Sequence, residues 1–166
     1  MSGRRMAALV AVLGALSVVG AGQAGAAGAT TVLKFHDATS NFTGIGFNAN
    51  DPNVVPPVGA SFDISIKLSN VGAQFGKPSG TIVGRVLLDC TILVENSATD
   101  QDGICMGIAH VPNGFFTFEG NGGLRNQSIS HFAITGGAGA YSTSRGQIVV
   151  VNHPDGSSNA TVMLSQ

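Results

Sequence analysis

Few side chains in this sequence can do acid–base or electrostatic chemistry, and they lie far apart. Arg145 precedes the run "GQIVVV" and alternates with Gln147, Val149 and Val151 along one strand face. If that face points inward, a guanidinium sits in an apolar cavity and must be paired or address an anionic ligand. If it points outward, Arg145 is a rim arginine bonded to a carboxylate or to carbonyls of the preceding glycine turn. His110 shares a face with Met106 and Ile108. There it could transfer protons near neutral pH, or be an ordinary, partly buried strand residue. Glu119 is in step with Phe115 and Thr117 and out of step with Phe116 and Phe118. An inward Glu119 would be desolvated and made a candidate acid or base; an outward one is a solvated strand charge, the favoured reading. Tyr141, the only tyrosine, follows the glycine-rich "ITGGAGA" and is expected to pack over that turn, with ligand binding as the alternative.

Other chemistries find no support. His36, His131 and His153 show no metal-ligand spacing, so no metal is expected. No serine sits in a G-x-S-x-G elbow. Gly137 and Gly139 begin a G-x-G-x-x-G, but Ser142 occupies its last place and no helix follows. Asn41, Asn126 and Asn159 head glycosylation sequons, which matter only in a host that glycosylates.

The elements that must position these residues read as strands almost throughout. Segments 30–38, 61–70, 81–96, 104–111, 114–120, 128–135, 146–153 and 159–166 are rich in Val, Ile, Leu, Phe and Thr. Clusters such as Asn50-Asp51-Pro52, Pro112-Asn113-Gly114 and Pro154-Asp155-Gly156 punctuate them. No segment sustains a 3.6-residue apolar period. Cys90 and Cys105 flank a stretch with strand residues at both ends and turn residues in the middle. Folded as a hairpin, it sets the cysteines opposite each other, and a disulfide is the simplest use of an even pair in an exported chain. No CxxC or nearby histidine completes a zinc site. An immunoglobulin-type sandwich would bridge distant strands and pack a tryptophan on the bridge. This chain has no tryptophan. Short links between successive strands favour instead an all-β, closed, antiparallel eight-stranded barrel able to hold one small ligand.

The first 29 residues read as a secretory signal peptide: a basic start, an apolar core and a run of small residues, with cleavage after Ala26 or Ala29. Residues 30–166 then form one domain, destined for secretion or the cell envelope, with no stable membrane span after signal removal. Leaving Arg4 and Arg5 aside, six basic residues stand against nine acidic ones. That balance provides no electrostatic footprint for nucleic acid or an anionic membrane.

From Val58 onward the sequence resembles the allene oxide cyclase and dirigent superfamily in its bacterial, exported form. "VGASFDISIKLSN", "GRVLLDCTIL", "PNGFFTFEGN" and above all "FAITGGAGAYSTSRGQIVV" carry the likeness. The resemblance implies a calycin-like eight-stranded barrel, a homotrimer or homodimer, with an apolar cavity and no cofactor. It also implies a small apolar or phenolic molecule, held in one conformation while it cyclises or couples. Arg145 falls where dirigent proteins keep a cavity arginine, and Asp51 lies in a turn similar to their Asp-Asp-Pro; these two are the catalytic candidates. Tyr141, His110 and Glu119 are the ligand-binding candidates. Cys90 falls at the cyclase's cavity cysteine, and Phe35 and Asp37 at its first-strand Glu and Asn. The missing Glu argues against plant-type cyclase activity. A non-catalytic extracellular barrel that binds lipids or phenolics, or is purely structural, is the alternative.

Overall fold

The computed structural model describes residues 30–45, 47, 55–97, 100–123 and 128–165. The period-two runs form eight strands: β1 (Thr30–Ile45), β2 (Ser61–Asn70), β3 (Ile82–Ser97), β4 (Asp100–Val111), β5 (Gly114–Gly123), β6 (Ile129–Gly139), β7 (Arg145–Asn152) and β8 (Ser158–Ser165). Each pairs antiparallel with the next, and β8 returns to β1, closing the barrel in sequence order. The expected closed, antiparallel eight-stranded barrel is observed. Closure satisfies the backbone groups that an open sheet would leave at its edges.

Several strands run further than composition suggests, β1 and β6 among them. β1 continues through "TSNFTGI" because β2 supplies an unbroken partner as far as Ile45↔Ser61. β6 continues through the glycines, Gly136, Gly137 and Gly139 pairing with Thr117, Phe116 and Gly114. The glycines were expected to serve as a turn, but Gly136 and Gly137 lie in the strand, and the turn follows at 140–143. Two of them are needed there. A Cβ on Gly137 would come within 2.5 Å of the Tyr141 carbonyl oxygen and 2.7 Å of that of Phe115. Gly139 has φ +66°, and a Cβ on it would collide with the Asn113 carbonyl oxygen. Gly136 meets only Thr117 Oγ1, at 3.3 Å.

Phe35, Phe62, Leu68, Ile92, Phe116, Phe118, Phe132, Ile148, Val162 and Leu164 are buried in the interior. At one end the β2–β3 connection folds so that Phe75 stacks on Phe35, ring centroids 6.3 Å apart. Asn70 Nδ2 supports that connection by donating to the carbonyl oxygens of Gln74 and Lys77, at 3.1 and 3.4 Å. At the same end the Pro112–Asn113 turn joins β4 to β5, Asn113 adopting φ 72° as asparagine in a tight turn can. Cys90 and Cys105 are direct partners on β3 and β4, and they are bonded. The expected hairpin and disulfide are both present. No helix among the described residues is long and apolar enough to cross a membrane.

Candidate functional site

The interior is not completely filled. A cavity of about 260 Å³ runs from the level of Phe116 and Leu68 to the barrel end that carries the β7–β8 hairpin. Phe35, Phe116, Phe118 and Phe132 give it aromatic walls, with Ile64, Ile66, Val86, Leu88, Ile148 and Val162 completing the apolar lining. Phe118 and Phe132 meet edge to face at 5.4 Å, and Phe116 meets Tyr141 in the same way at 5.7 Å. Such contacts fix ring orientation as well as burying area. The Cys90–Cys105 bridge forms part of the wall.

Polarity is confined to one rim. Asp37, Ser130, Asn152 and Ser158 line the cavity there, brought together from β1, β6, β7 and β8. Ser158 and Asn152 are register partners, and His36, beside Asp37, pairs with Asn159, beside Ser158. Asn152 Nδ2 donates to Ser128 Oγ at 2.8 Å, and Ser128 Oγ donates to the Gly123 carbonyl oxygen at 2.9 Å. The Gly123 amide donates to Ser130 Oγ at 3.1 Å. These bonds hold the rim amide and hydroxyls in place. Asp37 is the one carboxylate among the cavity-lining residues, and its Oδ1 is buried. The cavity is thus an aromatic well with one carboxyl group at its polar end. No group of three or more His, Cys, Asp or Glu among the described residues could hold a metal.

None of the described residues nominated from sequence as catalytic or ligand-binding lines this cavity. Arg145 is exposed on the outer face, because β7 turns Ile148, Val150 and Asn152 inward and so sends 145, 147 and 149 outward. Its Nη1 donates to the Ser144 carbonyl oxygen at 2.9 Å. The expectation of an arginine inside the cavity is therefore corrected to the rim-arginine alternative. His110 is also on the outer face, tilted against Phe115 at 5.7 Å. Glu119 is exposed there too, as a solvated strand charge. Both are thereby excluded from the cavity wall. Asp51 lies outside the described residues. Tyr141 is buried beneath Phe116 and donates from its hydroxyl to the Pro112 carbonyl oxygen at 3.2 Å. Burial raises its pKa above the usual tyrosine value. It closes the floor of the barrel over the turn, as expected, and is not among the cavity-lining residues. Asn152 and Ser130 had no motif to mark them. The only signal for Asn152 is the period-two series Ile148, Val150, Asn152, which ends on a polar residue.

No family model and no curated protein matches the sequence. Solved structures do match the barrel. A pyocyanin demethylase aligns with a TM-score of 0.57 at 20% identity, covering 82% of this chain and 100% of that one. The Diels–Alderase AbmU from Streptomyces koyangensis aligns with a TM-score of 0.59 at 16% identity, covering 86% and 71%. The pterocarpan synthase dirigent protein GePTS1 aligns with a TM-score of 0.60 at 14% identity, covering 83% and 88%. The chain has the barrel fold of cyclase and dirigent proteins. At these identities the likeness is one of fold.

Proposed function

We infer that the protein is an exported barrel that takes a small, conjugated apolar molecule into its cavity and guides that molecule's cyclisation or coupling without a cofactor. The observation that carries this reading is the aromatic well with its single rim carboxylate. An apolar cavity of roughly 150 Å³ holds one benzene, so about 260 Å³ matches a two-ring skeleton. The phenylalanine walls would hold a flat molecule in one orientation, which is the main rate advantage for a ring closure or coupling. Asp37 would accept a hydrogen bond from a phenolic hydroxyl or stabilise positive charge that develops beside it. The fold likeness to a Diels–Alderase and a dirigent protein supports chemistry of this kind, and the disulfide is compatible with an oxidising compartment.

The test uses 2-naphthol, a two-ring phenol, and follows its fluorescence on titration with the protein. Saturable uptake is expected in the wild type. Uptake should be lost in Ala160→Phe, which places a ring in the cavity from β8, and preference for 2-naphthol over naphthalene should fall in Asp37→Leu. Absence of uptake by correctly folded wild-type protein refutes the cavity as a binding site. Unchanged uptake in Ala160→Phe refutes this location.

A further inference from the structure

Apart from the cavity, the outer face of β2 to β5 carries an ordered charge pattern that an isolated barrel does not need. The register puts Lys67, Arg85 and His110 side by side in one cross-strand row. Two residues along each strand, Ser65, Leu87 and Ile108 form the next outward row. Two residues further, Asp63, Asp89, Met106 and Glu119 form the third. Successive rows are about 7 Å apart at the usual rise per residue. One edge of the strip is therefore cationic, its middle apolar and its other edge anionic.

Within one chain this arrangement is unfavourable. Lys67 lies directly opposite Arg85, and Asp63 directly opposite Asp89, and like charges facing each other across strands destabilise a sheet. All four are exposed, and none makes an ion pair within the described residues. Leu87 and Met106 stand 40% and 59% exposed between and beside them. The surface is also indented there, with a hollow of about 680 Å³ bordered by Leu87, Asp89, Met106 and Ile108.

We propose that this strip is a self-complementary interface at which two copies of the chain pair. The two-fold axis lies in the interface, parallel to the rows and through the Leu87–Ile108 row. That operation keeps each strand over its own copy but reverses it, so the first row of one chain faces the third row of the other. Arg85 then meets Asp89 of the second copy and Lys67 meets Asp63, each twice by symmetry. Leu87, Ile108 and Met106 from both copies fill the hollow. Four charges that repel their neighbours in the monomer each gain an opposite partner in the dimer. The strip spans only about three rows and four strands, so the dimer is small in area, concentration-dependent and sensitive to salt.

Charge reversal tests this with two readouts of opposite sign. Sedimentation equilibrium of the wild type should show a monomer–dimer equilibrium that weakens with added salt. Arg85→Asp and Asp89→Arg should each weaken the dimer at least about tenfold. Each replaces a like-charge cross-strand pair by an opposite one, so the thermal midpoint of the dilute monomer should hold or rise. Arg85→Asp combined with Asp89→Arg should restore dimerisation, because the two-fold axis pairs these positions with each other. Wild-type protein that stays monomeric up to its solubility limit overturns the proposal. An oligomer that neither single reversal weakens also overturns it, as does failure of the folded double variant to regain the dimer.

Discussion

The Cys90–Cys105 bridge allows a quantitative test of how the barrel is held together. It joins direct cross-strand partners at a sequence separation of 15, with Cα atoms 4.1 Å apart. Removing it frees a loop of that length in the unfolded chain, which the chain-entropy relation puts at about 3 kcal/mol. Both side chains are buried, at 0% and 1% exposure, so Cys90→Ala/Cys105→Ala also loses about 1 kcal/mol of packing. The variant should be about 4 kcal/mol less stable than the oxidised protein. At about 4 °C per kcal/mol for a domain of this size, its midpoint should fall by about 15 °C in a calorimetric or circular dichroism melt. A second substitution checks the location. A Cβ on Gly122 would sit 2.8 Å from Cys105 Sγ, so Gly122→Ala should cost about 1–3 kcal/mol in the bridged protein. The same substitution should cost clearly less once both sulfurs are gone. A double-cysteine variant within about 1 kcal/mol of wild type would refute the stabilising role. Equal costs of Gly122→Ala in both backgrounds would show that the sulfur does not fill that space.

Three further outcomes follow from named contacts. Tyr141 is the sole tyrosine in a chain without tryptophan, so near-ultraviolet phenolate absorbance reports it alone. With the folded pKa raised by burial, the native state holds the proton longer than the unfolded state. Stability should therefore be intact below about pH 10 and fall as pH rises through the folded pKa. Tyr141→Phe should abolish that tyrosine-linked loss and cost about 0.5–1.5 kcal/mol for the bond to Pro112; a folded-state phenolate titration at or below the free tyrosine value contradicts it. Gly146→Ala puts a Cβ against the Met163 carbonyl oxygen at φ +142°, and should cost at least about 1–3 kcal/mol in a urea melt. A neutral result would mean that β7 and β8 pack differently there. Arg145→Ala, whose guanidinium lies on the outer face, should leave 2-naphthol uptake unchanged, and a marked loss of uptake would put that side chain back at the cavity.

The legible parts of the fold were those written in local pattern. The run "SFDISIKLSN" alternates without interruption, and β2 spans those same ten residues. The cysteines flank a turn-forming stretch, and the hairpin pairs them. The site was legible only in fragments. Phe35 and Asp37 both line the cavity, where the resemblance put first-strand groups. Neither Asn152 nor Ser158 belongs to a motif, and they become neighbours of Asp37 only when β8 closes onto β1.

By itself the sequence determined the strands, their antiparallel order and the disulfide, because each depends on residues close along the chain. Only the tertiary structure decided which face of each strand points inward. Side chains alternate, so one extra residue in a strand exchanges inside and outside for everything beyond it. β1 shows this directly. Phe35 and Asp37 face the cavity, the register shifts between Asp37 and Thr39, and beyond it Asn41 and Thr43 border the outer hollow. β7 shows the same limit without a bulge. Arg145 has a definite parity in the sequence, but the pairing of Ile148 with Phe132 and Val162 sets that parity outward. The scarce charge beside the glycines thus lies on the outer face, and the cavity's carboxylate comes from the far end of the chain.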